Sequence, residues 1–192
     1  MAVRTLSENL QLAKQIKAKL GLQIDIACDK SHLVVPEFLA GLISVENSRV
    51  SSLATRFEPG VYSQLRNLRD FGVIWHKGLP RRNYNGITRA QLKGMSDDAL
   101  RNLATSYSYT QIMGWHVMTA PLASYSISEL RSSERHLRFA VMLLEHDCGQ
   151  FLKTKDYPAV LRIWNTGKPK GETHDPFYVA NAVSVAQQYR LL

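Results

Sequence analysis

The chain has 192 residues, 45% of them apolar, and a formal net charge of +8 with a sequence pI near 9.6. That length suits a single domain with a real core, and the composition excludes a disordered or fibrous chain. No run approaches the roughly 20 apolar residues that cross a bilayer, and residues 1–20 carry no apolar segment of the kind that directs secretion.

Ser7 can cap a helix over residues 7–20, with Leu12, Ile16 and Leu20 on one face and Gly21 as its stop. Lys14, Lys17 and Lys19 form its solvated side. Residues 23–30 read as a connector or a brief strand, so residues 1–30 precede a core of residues 31–192. Pro36 opens a second helix, because the first turn needs no backbone donor there. Its stripe of Phe38, Leu39, Leu42 and Ile43 runs at helical spacing into a carboxylate, Glu46. Asn47 and Ser48 are poor helix continuers and end it. Residues 50–58 read as a polar loop. Pro59 then starts a helix with Val61, Tyr62, Leu65 and Leu68 on one face, and Glu58 stands just before it, where the helix dipole favours negative charge.

Residues 71–93 lose this periodicity. Gly-Leu-Pro and Asn-Gly mark turns in a long excursion that carries Arg81, Arg82 and Tyr84, either as a solvated surface or as polymer contacts. Ser96, followed by Asp97 and Asp98, caps a helix bearing Leu100, Leu103 and Ala104. Residues 105–118, TSYSYTQIMGWHVM, hold too many hydroxyls for an ordinary core helix. Ser126 and Glu129 form a capping box for the longest helix, residues 127–153, with Leu130, Leu137, Val141, Leu144 and Phe151 as its spine. His136, His146, Asp147 and Cys148 lie along it but share no tight face, so no metal site is expected. Asp156 and Pro158 start a helix that stops at Gly167, and Asp175-Pro176 starts the last one, with Phe177, Val179, Val183, Ala186 and Tyr189. The expectation is a mainly α single domain of seven or eight helices with little or no sheet. Cys28 and Cys148 fit no metal spacing; two thiols suit a reducing cytosol, and a single disulfide is the other reading.

A glutamate at the end of an apolar stripe is either a rim residue that reaches water or a basic neighbour, or a desolvated acid with a raised pKa. Three separated pieces bear on this choice. They are Ser44-Val45-Glu46-Asn47-Ser48, Tyr109-Thr110-Gln111-Ile112-Met113-Gly114, and Trp164-Asn165-Thr166-Gly167 followed by Tyr178-Val179. In that order they resemble the lysozyme-like superfamily of peptidoglycan-cleaving enzymes: soluble lytic transglycosylases, goose-type lysozymes and phage-type N-acetylmuramidases. Phe57-Glu58 is similar to a Phe-Glu pair that phage muramidases carry shortly after the catalytic glutamate. Ser108-Tyr109-Thr110, Trp164 and Asn47 depart from the residues common at those places in the family.

The resemblance implies cleavage of the β-1,4 bond between N-acetylmuramic acid and N-acetylglucosamine, with Glu46 as general acid/base. Glu58 is then either a helix-end charge or a second active-site carboxylate. Gln111, Tyr109, Met113, Asn165 and Tyr178 are the implied substrate-binding positions; capping and packing are their plainer roles. No cofactor is implied. The implied partner is a peptidoglycan glycan strand met by a monomer, without nucleic acid and without stable membrane insertion. A protein made in the cytoplasm without a recognisable leader would then act at the cell wall or periplasm after phage-type release or another export route. The alternative is a non-catalytic lysozyme-like module that binds the wall or serves a phage particle. An all-α nucleic-acid binder is suggested by charge alone, but no helix concentrates a basic face.

Overall fold

The structure is a computed structural model that describes residues 3–192. Among these residues nine α-helices and seven short strands are formed, so the chain is mainly helical. The helices are α1 (Leu6–Cys28), α2 (Pro36–Glu46), α3 (Pro59–Phe71), α4 (Arg89–Leu92), α5 (Asp97–Leu103), α6 (Ile127–Leu130), α7 (Ser133–Lys153), α8 (Tyr157–Thr166) and α9 (Tyr178–Arg190). The strands are β1 (Thr55–Phe57), β2 (Ile74–His76), β3 (Leu79–Arg81), β4 (Asn83–Tyr84), β5 (Ile87–Thr88), β6 (Thr105–Tyr107) and β7 (Ile112–Met113).

Several boundaries differ from the sequence reading, each for a physical reason. Thr5, not Ser7, caps α1, through a capping box with Glu8. Gly21 does not stop that helix. Ile24, Ala27 and Cys28 continue the buried face of Leu20, and their burial outweighs the roughly 1 kcal/mol that a mid-helix glycine costs relative to alanine. The connector expected at residues 23–30 is therefore helical through Cys28. The box of Ser126 and Glu129 caps only the single turn of α6; Ser132 caps α7 separately by accepting the Arg135 N–H. At 23 residues α1 is longer than the 21-residue α7. The last helix begins at Tyr178 rather than at the Asp175-Pro176 pair, and its buried face includes Asn181.

Short strands are present in the expected loop of residues 50–58, in the excursion of residues 71–93, and in the hydroxyl-rich stretch of residues 105–118. β1 pairs antiparallel with β6, and β6 with β7, in a three-stranded sheet. The excursion of residues 71–93 folds into two hairpins, β2–β3 and β4–β5, followed by α4.

Buried side chains divide into two clusters. The larger joins α1, α2, α7, α8 and α9. The smaller gathers Leu65, Leu68, Ile74, Ile87, Leu92, Leu100 and Leu103 under the hairpins. Val117 and Ile127 pack against both. Glu46 ends a helix of the larger cluster and Glu58 precedes a helix of the smaller; β1 lies between them in the chain, and pairing brings β6 and β7 to it.

The crossing of α2 and α9 is set by Gly41. A Cβ at Gly41 would stand 2.5 Å from the Ala182 carbonyl oxygen, so only glycine permits this approach. Phe38, Leu39, Ala40, Leu42 and Ile43 are all buried around it. Cys28 and Cys148 are both buried free thiols, and burial pushes each up to about 12.

Candidate active site

Glu46 is the last residue of α2. The hydroxyl of Tyr178, the first residue of α9, donates to its Oε1 at 2.5 Å. The contact follows from the Gly41–Ala182 approach: Tyr178 lies one turn before Ala182, and Glu46 lies five residues after Gly41. Desolvation pushes the Glu46 carboxyl up to about 7; the Tyr178 hydrogen bond and the Arg56 charge oppose that rise and do not cancel it. Part of the residue remains exposed. The negative end of the α2 dipole also faces a carboxylate placed there.

Arg4 helps to fix this helix end. Its guanidinium donates to the Ser44 carbonyl at 2.8 Å, and its backbone N–H donates to the Asn181 side chain at 3.1 Å. Asn47 turns the chain out of α2. Its amide donates to the carbonyls of Ser51 at 2.6 Å and Ser108 at 3.3 Å. The loop between β6 and β7 is thereby tied to the residue that follows the acid.

That loop is held in an uncommon conformation, with φ of 62° at Ser108 and 54° at Gln111. The Gln111 amide nitrogen donates to the Ser108 carbonyl at 2.7 Å, and its oxygen accepts from the Ser106 hydroxyl at 2.8 Å. The loop is also bonded from outside. The Trp164 indole N–H donates to the Thr110 carbonyl at 3.1 Å. His136 Nε2 accepts the Thr110 N–H at 3.1 Å, while Nδ1 lies 2.8 Å from the Leu130 carbonyl and donates to it. Burial pushes His136 down to about 4, so the ring is neutral at pH 7 and suited to accept that bond.

The three sequence pieces are therefore joined in space: Asn47 and Trp164 both bond the 108–111 loop, and Tyr178 bonds Glu46. The named residues have different roles within that arrangement. Gln111 engages both ends of its amide in the loop. Tyr109 is buried against the His136 ring, with centroids 6.1 Å apart. Met113 is half-buried on β7, and Asn165 is exposed at the end of α8.

Glu58 has a different setting. Its backbone N–H donates to the Ala104 carbonyl at 2.8 Å, which fixes the end of β1 against the chain leaving α5. Its side chain makes no capping bond to α3. Instead its Oε1 accepts from Arg56 Nε at 2.5 Å, in a pair whose side chains are 32% and 69% exposed. Arg56 thus acts on both carboxylates, by a direct bond to Glu58 and by its charge on Glu46. The sequence reading missed Arg56. Strand alternation is the signal that could have found it, because residues 56 and 58 point to one side of an extended segment. It also missed Arg4 and Gly41, whose roles depend on contacts between distant segments.

Among the described residues no cluster of three or more His, Cys, Asp or Glu side chains could hold a metal ion. No family model, curated protein or solved structure matches the chain.

Proposed function

We propose that the protein is a peptidoglycan-cleaving enzyme of the muramidase or lytic transglycosylase type, with Glu46 as its general acid/base. The observation that carries this reading is a desolvated carboxyl raised to about 7 at a helix end, beside a loop that bonds together the segments resembling the lysozyme-like superfamily. Such an acid is protonated over much of the neutral range and can donate to a poor leaving-group oxygen. The proton passes from Glu46 to the glycosidic oxygen as the bond to the muramyl carbon breaks. The resulting carboxylate then takes a proton either from water, giving hydrolysis, or from the muramyl 6-hydroxyl, closing a 1,6-anhydro ring. Tyr178 positions the acid through its hydroxyl. Arg56 holds Glu58 and offsets negative charge near Glu46.

The test is lysis of purified peptidoglycan by wild type and Glu46→Gln, with mass spectrometry of the fragments. Loss of at least about 100-fold in rate is expected for a missing general acid, with the fold intact by circular dichroism. Wild-type activity should fall as pH rises through about 7, because the form that donates is the protonated one. Anhydromuramyl ends identify transglycosylation, and reducing muramyl ends identify hydrolysis. Full activity in Glu46→Gln refutes the assignment.

A second reading, a non-catalytic wall-binding module, draws on Gln111 and Tyr109. Both are engaged in the frame of the loop rather than left open to a sugar. Wall binding without release of soluble fragments would favour it.

A further inference from the structure

The hairpin β2–β3 combines exposed apolar side chains with basic ones that are unpaired among the described residues. Trp75 on β2 and Leu79 on β3 are 64% and 67% exposed, and Phe71 at the end of α3 is 73% exposed. Trp75 pairs across the ladder with Pro80, and His76 with Leu79, so apolar groups occupy both faces of the hairpin near its tip. The tip itself is Lys77-Gly78, with φ of 51° and 77°, a tight two-residue turn. Ile74 is the only buried residue of the two strands, so the hairpin is anchored at its base and otherwise faces solvent.

The charged side chains of the segment itself have one sign. Residues 71–96 contain five Lys and Arg residues and no Asp or Glu. Among the described residues Lys77, Arg81, Arg82 and Lys93 make no ion pair. The nearest acids in the chain are engaged, since Asp70 pairs with Arg66 and Arg69, and Asp97 pairs with Arg69. A concavity of about 650 Å³ adjoins the hairpin, lined in part by Phe71, Pro80, Arg82, Thr88 and Arg89. Arg89 directs its guanidinium to the carbonyls of Arg69 and Asp70 at 3.1 and 2.9 Å, while Arg82 is exposed.

We propose that this hairpin is a docking site for an anionic lipid surface. Trp75 and Leu79 would enter the headgroup region, and Lys77, Arg81 and Arg82 would meet lipid phosphates, with the adjoining concavity open to a headgroup. Charge complementarity favours an anionic partner. The exposed indole and leucine favour a bilayer interface over a purely polar polyanion, because only the bilayer gains from burying them. No described helix is long and apolar enough to cross a membrane, and docking of this kind is peripheral. The inference does not rest on Glu46.

The test uses the full chain and sedimentation with vesicles of phosphatidylcholine, with and without phosphatidylglycerol. Wild type should partition onto phosphatidylglycerol vesicles, less so as salt rises, and only weakly onto phosphatidylcholine alone. Replacing Trp75 and Leu79 together by Ser should cut partitioning by about tenfold or more, given the transfer free energy of two apolar side chains. Arg81→Gln with Arg82→Gln should cut it comparably, from about a factor of five per basic residue near the surface. These side chains are exposed, and unchanged circular dichroism would confirm that the fold persists. Glu46→Gln should bind vesicles like wild type, so a failure of catalysis and a failure of docking are told apart. Absence of partitioning onto anionic vesicles overturns the proposal. So does equal partitioning of the Trp75/Leu79 variant, which would assign the patch to a polar polyanion such as dextran sulfate, run in parallel.

Discussion

The two carboxylates of the candidate site are held by regions built in different ways. Glu46 ends a helix packed into the larger core, where Gly41 lets α9 approach and Tyr178 closes over the acid. Glu58 lies between the three-residue strand β1 and α3, a helix of the smaller cluster, partly exposed, with an arginine as its partner. The first setting removes water and raises a pKa. The second keeps an ion pair at the surface, where such pairs contribute about 0–1 kcal/mol. The position of an acid in the sequence therefore says less about its chemistry than the packing of the element that presents it.

The comparison can be broken most strongly at Gly41. In an open helix, changing glycine to alanine gains up to about 1 kcal/mol. Here the added methyl meets a backbone carbonyl, and overpacking of this kind costs about 1–3 kcal/mol. Gly60 in α3 is the control, because a Cβ there has nothing within 4 Å. Gly41→Ala should lower Tm by roughly 3–10 °C for a domain of this size, while Gly60→Ala should be neutral or slightly stabilising. Equal effects of the two changes would remove the distinction between the two regions.

The next effect is on titration. The Tyr178 hydroxyl favours the charged form of Glu46, and it does so more than any other group around the carboxyl. Tyr178→Phe should therefore raise the Glu46 pKa further, and the upper limb of the pH–rate profile should move to higher pH. Carbon NMR of the labelled carboxyl checks the same shift without a turnover assay. A downward shift would mean that the hydroxyl serves the neutral acid instead.

Much of the helical frame was legible because its signals are local. Pro36 with the stripe ending at Glu46, Ser96 with Asp97 and Asp98, and Gly167 in the left-handed region each rest on residues a few positions apart. The misread elements depend on distant partners. Gly21 is carried through α1 by burial of Ile24 and Ala27. β1 exists because β6, some 50 residues later, pairs with it. The candidate site divides in the same way. Glu46 could be picked from a helical pattern, and Tyr178 from a resemblance. The tasks of Gln111 and Tyr109 within the loop, and the place of Arg56 between two acids, required the chain to be closed on itself.

Arg56 gives the smallest and most discriminating change. Its side chain is 69% exposed, so solvent screens it, and among the groups acting on Glu46 its charge ranks after desolvation and the Tyr178 bond. Arg56→Met should raise the Glu46 pKa by less than Tyr178→Phe does, with little change in stability, since one exposed ion pair is lost. It should also leave Glu58 without its partner. If Glu58 only anchors Arg56, then Glu58→Gln and Arg56→Met should act on the pH–rate profile through the same group, and the double variant should match Arg56→Met alone. If Glu58 is a second active-site carboxylate, Glu58→Gln should lower kcat by itself, whether or not Arg56 is present. A double-mutant cycle on kcat and on the upper pH limb separates the two outcomes.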